Sequence, residues 1–203
     1  MRRLSFFLLL LTLLCAARAE AQSAPPTQRI RGEIIAVQGR DLQVRARGGE
    51  TLIIRLAESY GVTAVVPLGL EAIKPGAFVG AASLPQADGT ERALEVLVFP
   101  ESMRGSNEGH YPWDLQPGSM MTNATITHAV VESTGARRLT LEYKGGSQVL
   151  IVPAATPIVT FEPGDHAMVA PGAHIIVTAM RQADGALTAA RVAVGKNGLV
   201  PPM

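Results

Sequence analysis

The sequence predicts an all-β protein of two tandem small β-barrels held together by a docked Pro/Gly-rich connector. Three observations predict it. First, the chain repeats itself at an offset of 96: Pro75-Gly76-Ala77 and Gln86-Ala87-Asp88-Gly89 return as Pro171-Gly172-Ala173 and Gln182-Ala183-Asp184-Gly185. Second, each copy consists of short β-branched or alternating runs with one helical turn at most, which suits a small closed barrel. Third, glycines fall where such a barrel needs corners and tight turns. A repeat this long reads as two copies of one folding unit, because solenoid periods are shorter.

The elements follow in order. Ile30 to Val37 read as a first strand, with Gly32 marking a bulge or bend, and Gln38-Gly39-Arg40-Asp41 as a turn. Leu42, Val44 and Ala46 alternate with Gln43, Arg45 and Arg47, the period of a half-buried strand. Gly48-Gly49 turns the chain into a strand over Thr51 to Leu56, and Val62 to Val66 form another short β-branched run. Leu68 to Ile73 allow one helical turn, and Ala77 to Leu84 pair with Ala93 to Phe99 across the Asp88-Gly89 hairpin. The second copy repeats the order, with strands near 124–131, 139–143, 148–152, 158–161, 173–180 and 188–194. At an offset of 96, Ile30 aligns with Ile126, Ile34 with Val130 and Gly32 with His128.

The glycine-broken first strand (Gly32), the Pro75-Gly76-Ala77 turn before a late strand and the Asp88-Gly89 hairpin before the last resemble the OB-like β-barrel modules of exported bacterial proteins of unknown function. Pro171-Gly172-Ala173 and Asp184-Gly185 repeat the thread, with His128 in place of the first glycine. The resemblance covers roughly three quarters of the chain and implies two tandem OB-like barrels. The chain is also similar to short exported proteins sometimes labelled metal-transporter permeases. It has no permease spans, so that likeness implies at most a metal-uptake neighbourhood.

The first residues read as an export signal: Arg2-Arg3, an apolar run from Leu4 to Leu14, and small residues at Ala17, Ala19 and Ala21. The expected division is a signal peptide at 1–21, a polar lead at 22–27, repeats at 28–99 and 122–195, a connector at 100–121 and a tail at 196–203. Cleavage after Ala21 would remove Arg2, Arg3, Arg18 and Glu20, leaving 15 basic against 16 acidic residues. It would also remove Cys15, the one cysteine, and with it any thiol or disulfide chemistry. A near-neutral mature chain argues against nucleic acid or an anionic membrane as partner. No later run is long enough to span a bilayer as a helix. The expected compartment is the periplasm.

The connector holds the one tryptophan, in His110-Tyr111-Pro112-Trp113-Asp114-Leu115. Large rings are costly to leave in water, so the segment is expected to dock. His110, Tyr111, Trp113 and Asp114 are then candidates either for a staple between barrels or for a recognition loop. Histidines of the second half offer an alternative metal site from His128, Asp165, His166 and His174, although none is spaced as a ready-made ligand pair. No nucleophile elbow, phosphate loop or paired carboxylate is apparent, and no cofactor is implied. Alternating arginines such as Arg45 and Arg47 lack the stacking aromatics that single-strand binding needs. The sequence therefore predicts a non-enzymatic exported binding protein whose partner is an envelope protein or a small ligand. The alternative is a metal-binding accessory of a transport system.

Overall fold

A computed structural model describes residues 26–203. The expected signal peptide and most of the polar lead lie outside the described residues. Among those residues, no helix is long and apolar enough to cross a membrane. Twelve strands carry the chain: β1 (Thr27–Gln38), β2 (Asp41–Ala46), β3 (Thr51–Pro67), β4 (Phe78–Pro85), β5 (Glu91–Val98), β6 (Gly109–Pro112), β7 (Met120–Val131), β8 (Arg137–Tyr143), β9 (Gly146–Val152), β10 (Ile158–Pro163), β11 (His174–Arg181) and β12 (Leu187–Gly195). The runs expected at 51–56 and 62–66 are one long strand. β6, inside the connector, has no alternating apolar pattern to announce it.

A barrel closes through β1, β2, β3, β12 and β11. β1 pairs antiparallel with both β2 and β11, and Leu187–Gly195 of β12 runs parallel to the 54–65 stretch of β3. The alternation read in β2 is correct: Leu42, Val44 and Ala46 face in, with Ile30, Ile34, Ile54, Val177 and Val192. Five of the remaining seven strands join in the same order, β7-β8-β9 with β5 and β4, around Ile126, Leu139, Leu141 and Leu150. This second ring closes through two strands, because the counterpart of β3 is split: Glu91 and Arg92 of β5 pair with Leu150 and Ile151 of β9, and Val96, Leu97 and Val98 pair with Ile158, Val159 and Thr160 of β10.

Each ring therefore takes three strands from one copy of the repeat and the late hairpin from the other. The Pro-Gly turns record the exchange: Gly76 N donates to Ile126 O at 2.8 Å, and Gly172 N donates to Ile34 O at 2.7 Å. The hairpin turns themselves form as read, with Gly89 at φ +82° and Gly185 at φ +85°, a region glycine enters without a Cβ penalty. What turn chemistry does not encode is the partner sheet. Where β3 meets β10, Val65 pairs with Phe161, its own counterpart at the 96 offset, flanked by Pro67↔Val159 and Thr63↔Pro163. The copies are thus related by an approximate two-fold axis through this pair. Val65, Leu97, Val159 and Met203 pack around it with Phe99, Phe161 and Ile176.

The alignment of the first strands needs correction. Gly32 pairs with Ile175, whereas Val79, the counterpart of Ile175, pairs with Ala124. Ala124 therefore occupies the glycine's place, and Ile126 that of Ile34. His128 is two residues further on, and Val130, aligned with Ile34, is 59% exposed. The longer turn between β7 and β8 absorbs the difference. Gly32 is also not at the bulge, which lies between Ile34 and Ala36. It is needed because a Cβ there would stand 2.3 Å from Arg45 O of β2. The chain end is not a loose tail: beyond β12 it turns back at Gly195 and buries Pro201 and Met203.

Candidate functional site

Strand alternation gives β4, β5 and β7 a second face, pointing away from the ring interior. On it lie Gly80, Glu95, Leu97, Met121 and Asn123, and β6 with its flanking loops covers them. The connector is anchored at several points. Arg104 Nη2 donates to Gly76 O at 2.8 Å, and Ser119 Oγ, accepting from Gln116 N at 3.2 Å, donates to Trp113 O at 3.0 Å and closes the loop after β6. From the opposite side, Arg29 of β1 lays its guanidinium over the Trp113 ring, 3.7 Å from the centroid. Arg29 and Arg31 both donate to Asp114 Oδ1, at 2.8 and 2.7 Å. Burial alone would raise the Asp114 carboxyl, but the Arg31 hydrogen bond and the two guanidinium charges outweigh it and hold the group below the usual range.

Under this cover is a cavity of about 250 Å³, walled by Phe99, Tyr111, Trp113, Met121, Phe161 and Ile176. Three of the residues that line it carry buried side-chain atoms that find no partner among the described residues: both oxygens of Glu95, Oδ1 of Asn123 and Nε1 of Trp113. Buried polar atoms are nearly always hydrogen-bonded, and each one left unpaired costs about 1–3 kcal/mol. The Asn123 amide orientation follows from its neighbours. Nδ2, with two N–H groups to donate, lies within hydrogen-bonding distance of Ser106 O and Asn107 O at 3.1 Å and of Tyr111 Oη at 3.0 Å. A flipped amide would set its oxygen against two carbonyls, so Oδ1 is the atom left over. It lies over Gly80, where a Cβ would come within 2.6 Å of it.

Glu95 is fully buried. Burial pushes its carboxyl up to about 8; the Ala82 amide and the Arg31 charge only partly offset this, the amide without reaching hydrogen-bonding geometry. Burial also raises the Tyr111 phenol, against the pull of Arg29, so it remains a hydroxyl at neutral pH.

The structure brings together part of the site the sequence nominated. Tyr111 and Trp113 line the cavity, edge to face at 6.1 Å, and Asp114 fixes the arginines at its rim. His110 points away, as alternation along β6 requires. Its Nδ1 shares a 2.9 Å hydrogen bond with Thr122 Oγ1, and its Nε2 lies 3.5 Å from Glu91 Oε1, while Ser83 Oγ donates to Glu91 Oε2. Thr122 and Ser83 are fully buried, and neither lines the cavity.

The four residues of the metal alternative lie on three separate elements. His128 is exposed on β7 of the second ring. Asp165 caps a 3-10 turn by accepting from Ala167 N at 2.7 Å, His166 stacks on Tyr60 at 4.3 Å, and His174 begins β11 opposite Glu33. Among the described residues no group of three or more His, Cys, Asp or Glu is placed to hold a metal ion.

Sequence reasoning missed Glu91, Glu95, Asn123 and Gly80. The signal was there in the repeat: at the 96 offset, Glu91 and Glu95 meet Leu187 and Arg191. Two acids in a largely apolar strand that also carries Arg92, both acids absent from its duplicate, mark where the copies diverged.

Fold and cavity together define an all-β protein containing a five-stranded barrel, with a polar-floored apolar cavity roofed by its connector. In comparisons with known proteins, no family model, no curated protein and no solved structure matches the chain.

Proposed function

We propose that the chain is a non-enzymatic exported protein that binds a small molecule in the cavity beneath the connector. One observation carries the reading: three of the residues that line a single apolar-walled cavity carry buried polar atoms without a partner. A core that needed only stability would fill such a space with apolar side chains, since each unpaired group is a cost without return. A ligand with matching groups would satisfy all of them at once, and the aromatic walls suit an organic body.

The recognition-loop and staple readings of the connector are then compatible, because the Arg29–Trp113–Asp114 contacts that hold the loop also form the rim. Export to the periplasm rests on the first 21 residues alone. The finer description of the architecture is two OB-like barrels whose late hairpins are exchanged between copies. Five strands in antiparallel succession with one parallel closure support it in each ring.

The test is native mass spectrometry of the protein purified gently from its own envelope fraction, beside an Asn123→Ala variant of unchanged circular dichroism. The expected result is a small-molecule adduct on the wild type, lost in the variant, on a chain beginning at Gln22. Bare masses for both proteins, or an adduct that ignores Asn123, would sink the binding site. An intact N-terminus would sink the cleaved signal.

A further inference from the structure

The unpartnered atoms are unequal in kind, and this inequality identifies the ligand's chemistry. Glu95 Oε1, Glu95 Oε2 and Asn123 Oδ1 are acceptors when the carboxyl is ionised, and Trp113 Nε1 is the one donor. A ligand that satisfies them brings several N–H donors and one acceptor. An ammonium group has three N–H donors in a compact head, and its charge offsets the cost of burying the carboxylate. Resting on the binding reading above, we propose that the cavity takes a small organic amine, bound as its ammonium by Glu95 and Asn123, with an acceptor group on the same molecule for Trp113 Nε1.

The remaining charges permit this. Arg29 and Arg31 reach the region from β1. Both are engaged by Asp114, Arg29 also by the Trp113 face, and Arg31 also donates to the backbone oxygen of Met203. Tyr111 is the titratable group on the connector side, and it stays neutral. The β10, β11 and β12 walls contribute Phe161, Ile176 and Ala193, none of them charged. Size sets the remaining limit. A cavity of about 250 Å³ exceeds the roughly 150 Å³ that holds benzene and so admits about ten non-hydrogen atoms.

A protonated Glu95 would have to ionise on taking an ammonium, so binding below pH 8 is coupled to proton release. Three probes on one phenyl-carbinol skeleton separate the possibilities: 2-amino-1-phenylethanol as cation, 1-phenylethane-1,2-diol as its neutral isostere, and mandelate as anion. Titration calorimetry in buffers of different ionisation heat reads affinity and protons. Emission of Trp113, the one tryptophan, reports occupancy of the cavity.

The expected result is that the amine binds about tenfold or more tighter than the diol, with mandelate weaker still. At pH 7 about one proton should be released per amine bound. Glu95→Gln should bring the amine down to the diol's affinity and abolish the release while the diol is unaffected. Equal or tighter binding of the diol or mandelate, or amine binding without proton release, overturns the ligand class but leaves the cavity as a binding site. Failure of all three probes to bind overturns the amine proposal. The native mass of the purified protein then decides independently whether the cavity reading falls with it.

Discussion

The two rings are built from the same repeat and differ most on one strand. In the first barrel, β12 places Leu187 in the core, exposes Arg191 and runs beside a long stretch of β3. In the second ring, β5 places buried Glu91 and Glu95 at the same positions and runs beside β9 at Glu91 and Arg92 and beside β10 at Val96 to Val98. One copy of the hairpin is a structural closure. The other also closes its ring but holds two buried acids, which the connector then covers. Duplication let one copy keep the scaffold while the other acquired a polar floor.

The hairpin exchange makes the largest prediction. A fragment of 26–99 has β4 and β5 but neither partner hairpin for β1 and β3, so it should stay unfolded alone. The intact chain should unfold in one transition. Leu42→Ala in the first barrel and Leu139→Ala in the second ring, both fully buried, should each cost about 2–5 kcal/mol and shift that one transition. Two separable transitions in urea, each moved by one of the mutations, would break the picture of interlocked rings.

The buried acid that distinguishes β5 should appear in the pH dependence of stability. Its folded value, about 8, lies above the ordinary 4.5, so the folded chain keeps a proton that the unfolded chain releases. The stabilisation from this proton is complete below pH 4.5 and is lost as pH rises to 8. The fall approaches about 1.4 kcal/mol per pH unit within that window. Glu95→Gln should flatten the curve and leave the variant more stable than the ligand-free wild type at pH 8. A wild-type curve already flat between pH 5 and 8 would contradict the burial of this group.

Two smaller effects probe the connector. Trp113→Ala removes a half-buried ring and its stack with Arg29, and should cost about 2 kcal/mol, read from the thermal midpoint. Asp114→Asn leaves both arginines without their carboxylate at an exposed rim, and should cost under about 1 kcal/mol, less at high salt. A larger loss for Asp114→Asn than for Trp113→Ala would mean that charge, not packing, holds the loop.

Much of the fold was legible locally. Alternation in β2 placed its inward residues, and the Asp-Gly and Pro-Gly pairs placed the hairpins, because turn geometry depends on a few adjacent residues. β3 reads as two pieces because Ala57, Glu58, Ser59 and Gly61 are weak strand formers, held extended by neighbours distant in sequence. The first-strand register was misread because a longer β7–β8 turn shifts the offset, and only pairing partners reveal the shift. In the site, Trp113 and Tyr111 were visible because large rings in a connector must dock. Asn123 and Glu95 were not, because a polar residue on a strand is ordinarily read as solvent-facing.

By itself the sequence determined the duplication, the all-β class, the turns and the docking of the connector. Each of these follows from local periodicity, backbone freedom or the cost of exposing an aromatic ring. Tertiary structure decided which hairpin completes which ring, since both late hairpins follow the same turn motifs and the choice lies in long-range pairing. It also decided that Glu95 is buried. That outcome depends on β6 and the connector lying over the outer face of β4, β5 and β7, an arrangement no local pattern encodes.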